Sequence, residues 1–243
     1  MAHGGPDWGV QQSVSTVHKV SDLGELAARL DSPDTFHRAG NVIFLESFEG
    51  GLGRWSATAE GTGGVADLTI GLPNHGLYAV RLLAGSDGNR QSYISRNEPY
   101  PALSIMGHEC AFRLVTTATD RVELRIEHYD GTNLSLYAVR WRDTDNDLQY
   151  LDSTGTWVTI TAAASIALHP TVYHRLKLLA NLSTGRYTAV ILDDTRHSLS
   201  GIAPQQAAST TAPNIGQLIL NVGRAGQNDQ VNIDNVILTQ NEP

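Results

Sequence analysis

The chain has 243 residues, 41% hydrophobic and 17% charged, which is enough apolar material for one large core or two small ones. Its net charge of −8 excludes sequence-independent binding to phosphate backbones, and no apolar run of about 18 residues is present to cross a bilayer. With a single cysteine, Cys110, no disulfide can form within the chain, so the core alone must hold the fold.

Residues 1–20 mix Gly, Pro, Ser and Gln with scattered Val and read as an extended arm. The segment 22–30 is the one good helix. Leu23, Leu26, Ala27 and Leu30 form a stripe at i, i+3, i+4 and i+7, Ser21 or Asp22 supplies the cap, and Asp31-Ser32-Pro33 stops it. A helix this short is marginal alone, so the stripe needs a partner surface. Its docking partner is expected to be a neighbouring copy or its own sandwich. Residues 1–40 are thus expected as an arm with a helix, and 41–243 as the main domain. The N-terminus has no basic region followed by an apolar one, so the expectation is a chain made in the cytoplasm.

From residue 42 onward the period is two. Strands are expected at 42–48, 65–70, 77–83, 91–96, 108–115, 121–129, 134–142, 147–151, 156–160, 172–181, 186–193, 215–223 and 231–238. Residues 200–214, rich in Ala, Pro, Gln and Thr, read as a long connection. About a dozen strands separated by short turns predict an all-β fold: two antiparallel sheets in a sandwich.

One hairpin can be taken further. Val122, Leu124 and Ile126 alternate with Arg121, Glu123, Arg125 and Glu127, so the even positions must face the core. An even-length loop around Asp130-Gly131 pairs residues whose numbers sum to an odd total. Tyr137, Val139 and Trp141 then join the core, and Arg140 and Arg142 join the charged face.

The globular part opens with Val42-Ile43-Phe44-Leu45-Glu46-Ser47-Phe48-Glu49-Gly50-Gly51-Leu52 and Trp55, and closes with Val231-Asn232-Ile233-Asp234-Asn235-Val236-Ile237-Leu238. The pair resembles the first and last strands of jelly-roll sandwiches of the concanavalin A-like and carbohydrate-binding-module kind. That resemblance implies terminal strands lying side by side over 42–239. It also implies a structural Ca²⁺ where they meet, at positions matching Glu46, Glu49 and Asp234; no other cofactor is expected. The layout of arm plus sandwich is similar to decoration or tail-associated structural proteins of tailed bacteriophages.

Catalytic patterns are sparse. Jelly-roll glucanases of this likeness carry Glu-x-Asp-x-x-Glu on one strand; here Glu123 and Glu127 stand about 13 Å apart along theirs, with arginines around them. Asp143-Thr144-Asp145-Asn146-Asp147 begins like a calcium loop but lacks the glycine and glutamate an EF-hand needs, and reads as a polar turn. His108 and Cys110 share one strand face and read as buried structural groups. No enzyme activity is therefore expected.

Three functions compete. The leading one is a non-catalytic structural protein, virion-associated, that self-associates through Leu23, Leu26, Ala27 and Leu30 as a homo-oligomer, with a trimer by likeness, and sits on a capsid or other large assembly. The second is a glycan-binding module, for which Trp8, Trp55, Trp157 and Tyr129 are the available aromatics. A glycan hydrolase or lyase comes last. Neither nucleic acid nor membrane is an expected partner.

Overall fold

In the computed structural model, two antiparallel sheets stack face to face. The structure describes residues 40–87, 90–99, 102–115, 121–143, 145–162, 164, 166, 171–223 and 229–243. The expected helix at 22–30 lies outside them.

Sixteen strands follow in chain order: β1 (Asn41–Glu46), β2 (Ser56–Ala59), β3 (Val65–Thr69), β4 (Ala79–Leu83), β5 (Gln91–Pro99), β6 (Ile105–Leu114), β7 (Arg121–Tyr129), β8 (Asn133–Arg142), β9 (Asp147–Leu151), β10 (Trp157–Thr161), β11 (His174–Asn181), β12 (Arg186–Leu192), β13 (Thr195–Ser198), β14 (Gln205–Ala208), β15 (Asn214–Val222) and β16 (Gln230–Gln240). Sheet A runs β13-β12-β11-β6-β16-β4-β3, with β1 also on β16; sheet B runs β10-β9-β8-β7-β15-β5-β2, with β14 also on β8. The first and last strands are neighbours, as the resemblance implied, with Leu45 opposite Ile237.

The hairpin β7–β8 has the expected parity. Glu123 stands opposite Arg140 and Val122 opposite Trp141. Gly131 takes a positive φ of 93°, and the Asp130 carboxylate accepts the Thr132 and Asn133 N–H groups at 2.8 and 2.6 Å. Phe44, Phe48, Val122, Leu124, Ile126, Val139, Ile219 and Ile233 are all buried in one core cluster between the sheets. Three short strands escaped the sequence pattern: β2, β13 and β14, each of four residues.

Buried polar groups link the two sheets through this core. His108 of β6 places Nδ1 3.0 Å from the Arg125 carbonyl of β7, and burial pushes its imidazole down to about 4, so it stays neutral. Asn221 of β15 donates from Nδ2 to the carbonyls of Leu82 and Asp229 at 2.8 and 2.7 Å. Tyr187 of β12 reaches across to sheet B. Its hydroxyl accepts the Ala138 N–H at 2.8 Å and donates to the Leu151 carbonyl at 2.8 Å. Cys110 is fully buried, and the cost of a charge there holds its thiol protonated.

Tyr187→Phe removes this hydroxyl and strands the Ala138 and Leu151 backbone groups. Leaving such groups unsatisfied costs about 1–3 kcal/mol, and urea melts should show that loss with an unchanged m-value. A variant as stable as the parent would mean that the hydroxyl holds nothing together.

Candidate functional site

Two regions gather polar side chains: the junction of β1, β4 and β16 on sheet A, and the outward face of sheet B.

At the junction, β16 changes neighbours. Its first half pairs with β4 and its second half with β1. Asn235 takes a positive φ of 45° there, and the register to β6 shifts between Asp234 and Ile237. Asp234 is fully buried. Its Oδ2 accepts the N–H groups of Asn74 and His75 at 2.8 and 3.1 Å, and Oδ1 accepts that of Asn235 at 2.7 Å. The Glu49 Oε1 accepts the N–H groups of Leu77 and Tyr78 at 2.8 and 2.9 Å. Glu46 turns another way: Oε1 accepts the Phe48 N–H at 3.1 Å, and Oε2 lies 3.6 Å from Arg54.

These are the three carboxylates at which the resemblance implies a Ca²⁺. Donors of the chain already engage each of them, and among the described residues no three His, Cys, Asp or Glu side chains gather for a metal ion. A cation needs those same lone pairs. As they stand, Glu49 and Asp234 tie down the loop before β4, helped by Arg113 and Asn232, which both donate to the Gly71 carbonyl at 2.5 and 3.0 Å.

The outward face of sheet B has a different character. Along β7, Arg121, Glu123, Arg125, Glu127 and Tyr129 alternate with the core positions. Across the ladders they meet Arg142, Arg140, Ala138, Leu136 and Leu134 of β8 on one side. On the other side stand Val222, Leu220, Leu218, Gly216 and Asn214 of β15. Beyond β8 come Gln149 of β9, then Thr159 of β10. Beyond β15 come Tyr93, Ser95 and Asn97 of β5.

The polar groups on this face are tightly interlocked. Arg125 pairs with Glu123. The guanidinium of Arg142 grips Asp147 with two bonds of 2.8 Å and holds its carboxyl below the usual range. The Arg140 Nε donates to Gln149 at 2.7 Å, and Gln149 in turn donates to Asp147 at 2.9 Å. The Arg140 guanidinium also stacks 4.1 Å from the Trp157 ring centroid. Tyr129 donates to Glu127 at 3.0 Å, and burial together with that carboxylate pushes its phenol up to about 12. Glu123 and Asp147 are only 2% and 4% exposed although they point away from the core.

Gly216 makes room on this surface for its neighbours' side chains. A Cβ there would sit 3.2 Å from Glu127 Oε2 and 3.3 Å from Asn97 Oδ1. The missing side chain lets a carboxylate and an amide oxygen close over β15 from the two neighbouring strands. Nothing in the sequence flagged Gly216 or Asn97, because they meet Glu127 only through pairing of strands far apart in the chain.

Of the aromatics, Trp157 and Tyr129 do lie half-buried on this face. Trp55 does not. It is buried against Phe44 and Phe48, with ring centroids 5.8 and 6.1 Å away, and belongs to the core. Trp8 is outside the described residues. Of the Asp143–Asp147 run, Asp145 lies in a turn and Asp147 opens β9, and both pair with Arg142.

No family model matches the chain, and no curated protein matches it in sequence. Solved structures do share its fold. The carbohydrate esterase of the Shiga toxin-encoding bacteriophage phi24B superposes with a TM-score of 0.58 at 14% identity, over 84% of this chain and 100% of that one. The cellulose-induced protein Cip1 superposes with a TM-score of 0.56 at 13% identity, over 81% and 96%. The fold is thus a jelly-roll β-sandwich. At these identities the likeness fixes the fold and leaves function to the site.

Burial raises the Asp234 carboxyl to about 7, with the nearby Glu49 charge adding to the effect. The folded state therefore binds this proton more tightly than the unfolded chain does. Its stabilising contribution is present at low pH and is lost as pH rises through about 7. Asp234→Asn cannot ionise, so its cost relative to the parent should be larger at pH 4.5 than at pH 8 in paired denaturant melts. An equal cost at both pH values would contradict the assignment. Melting in EDTA and then in excess Ca²⁺ tests the implied cation: a higher midpoint with Ca²⁺ would place it at this junction, and identical curves would remove it.

Proposed function

We propose that the protein is a non-catalytic glycan-binding jelly roll whose ligand lies on the outward face of sheet B. The observation that carries this reading is the row of half-buried rings on one outward face, Trp157 stacked under Arg140 at one side and Tyr129 and Tyr93 toward the other, with the oxygens of Glu127 and Asn97 between strands β7 and β5. Saccharides need two things from a surface: planar apolar patches for ring faces, and fixed donors and acceptors for hydroxyls. Trp157, Tyr93 and Tyr129 offer the first. Glu127, Asn97, Ser95 and Thr159 offer the second.

Charge on the face narrows the ligand class. Arg121, Arg125, Arg140 and Arg142 are balanced by Glu123, Glu127, Asp145 and Asp147, so the surface has no net charge to attract an anion. A neutral polysaccharide fits best. The non-catalytic part rests on how the carboxylates are engaged. Glu123 is tied to Arg125 and Glu127 to Tyr129, and the two stand about 13 Å apart on β7, beyond the spacing of either glycosidase geometry.

A glycan array followed by calorimetry tests this. Trp157→Ala, Glu127→Gln and Asn97→Ala should each weaken binding of a neutral polysaccharide by about tenfold or more, since a stacked or doubly bonded ligand group is worth about 1–3 kcal/mol. Their melting temperatures should stay near the parent's. Binding left intact in all three would remove the ligand from this face, and binding only to uronate-rich polymers would reverse the charge argument.

A second reading, an assembly role on a larger particle, is favoured by one observation. Ile70, Leu72 and Leu77 are 77%, 58% and 67% exposed on the loop that Asp234, Glu49 and Arg113 hold in place. Hydrophobic side chains held out in this way suit a protein partner. A monomeric mass by light scattering at micromolar concentration would leave free self-assembly, including the trimer, without support.

A further inference from the structure

Sheet A has a second apolar cluster, on the wrong side of the sheet. Leu178 and Val190 point into the sandwich. Their neighbours Leu179 and Ala189 therefore point away from it, and with Ile191 they form a separate cluster that is also buried. The rows around them can be traced across the ladders. Val42, Thr239, Gly107, Leu179 and Ala189 form one row over β1, β16, β6, β11 and β12. Ile237, Glu109, Lys177 and Ile191 form the next. Thr239, Ile237, Glu109 and Lys177 are each no more than 3% exposed.

An outward sheet face is not buried by its own strands; a covering segment is required. The last residues supply a corner of that cover. Glu242 places Oε1 2.7 Å from the Lys177 ammonium, and its N–H donates to the Ile105 carbonyl at 3.1 Å. Gly40 lies at the same corner, where a Cβ would meet the Gln240 carbonyl at 2.9 Å and Glu242 at 3.0 Å. The 39 residues before it therefore start from the edge of the patch.

We propose that the outward face of sheet A is the seat of the chain's own N-terminal segment, with the stripe Leu23, Leu26, Ala27 and Leu30 packed on Leu179, Ala189 and Ile191. The lengths agree. Ten residues separate Leu30 from Gly40 and span up to about 33 Å. Four strand spacings separate β1 from β12, or about 19 Å. The apolar character agrees as well: the stripe is the strongest amphipathic signal in the sequence, and the patch is the one apolar cluster of the described residues outside the main core. The consequence is functional. A segment seated on sheet A closes that face to ligands and leaves sheet B as the open one.

The test uses the full chain. Cys110 is the single native thiol and is buried, so introduced thiols report alone. In an Ala189→Cys variant, alkylation should be slow, and adding Leu23→Asp and Leu30→Asp should speed it by about tenfold or more. The melting transition of the sandwich should persist. Under mild oxidation, Ala189→Cys combined in turn with Leu23→Cys, Leu26→Cys and Leu30→Cys should yield at least one cross-link within a single chain, at monomer mass. Three results would overturn the proposal: protection of the Ala189→Cys thiol unaffected by the aspartates, no cross-link from any of the three pairs, or cross-linked product at dimer mass. The last would assign the seat to a second copy.

Discussion

Both sheets contain a strand that changes neighbours halfway along, and the rest of the structure follows from how those two forks are filled. Where β8 leaves β14 after Leu136 and joins β9 at Val139, Ala138 is paired with neither strand on that edge. Unpaired polar groups there are costly. Tyr187 fills the gap from the opposite sheet, with Tyr137 and Tyr150 packed edge-on to its ring. Where β16 leaves β4 and joins β1, the fork lies on the outward side, and Asp234 fills it with a carboxylate that takes three N–H groups. One fork is closed by a neutral hydroxyl and the other by an ionisable acid, so only the second responds to pH.

His108 shares that pH window with the opposite sign. Its folded-state value lies near 4, below the ordinary 6.5, so its contribution is present above about 6.5 and is lost as pH falls toward 4. Asp234 loses its contribution as pH rises across nearly the same interval. The two trends oppose one another between pH 4 and 7. The parent's stability is therefore expected to vary less across this range than either group alone would dictate, and only variants separate the two.

How much of this could be read from the sequence depended on how local each interaction is. The hairpin β7–β8 was legible down to which residues face each other, because strict alternation and an even loop leave one solution. The core residues Phe44, Phe48, Ile219 and Ile233 followed from the same period. The strands β2, β13 and β14 were not legible. Four residues give too little alternation to stand out, and β14 lies inside a stretch whose Ala, Gln and Pro look like a linker. Trp55 reads like an exposed aromatic beside a Gly-rich turn, yet it packs on Phe44 and Phe48, because β1 ends there and needs a plug. The hydrogen-bond partners of the carboxylates at the β1–β16 junction were hidden for a related reason. The sequence shows carboxylates, but it does not show the N–H groups of residues 74–78 that fold back to meet them.

The candidate glycan face was half legible. The alternating charges of β7 were plain, and they suggested a solvated lattice. Two facts visible only in three dimensions change that picture. Glu123, Arg140, Asp147 and Gln149 are buried beneath their own network, so they form a rigid floor and are not mobile surface charges. Glu127 and Asn97 then close over Gly216 of β15, some 90 residues from Glu127 in sequence. A floor already ordered by its own hydrogen bonds loses little side-chain entropy when a ligand arrives, and that loss is a principal cost of binding. The ion pairs contribute little to stability as isolated pairs. Their value to a saccharide site is that they fix the hydrogen-bonding directions of a surface that carries no net charge.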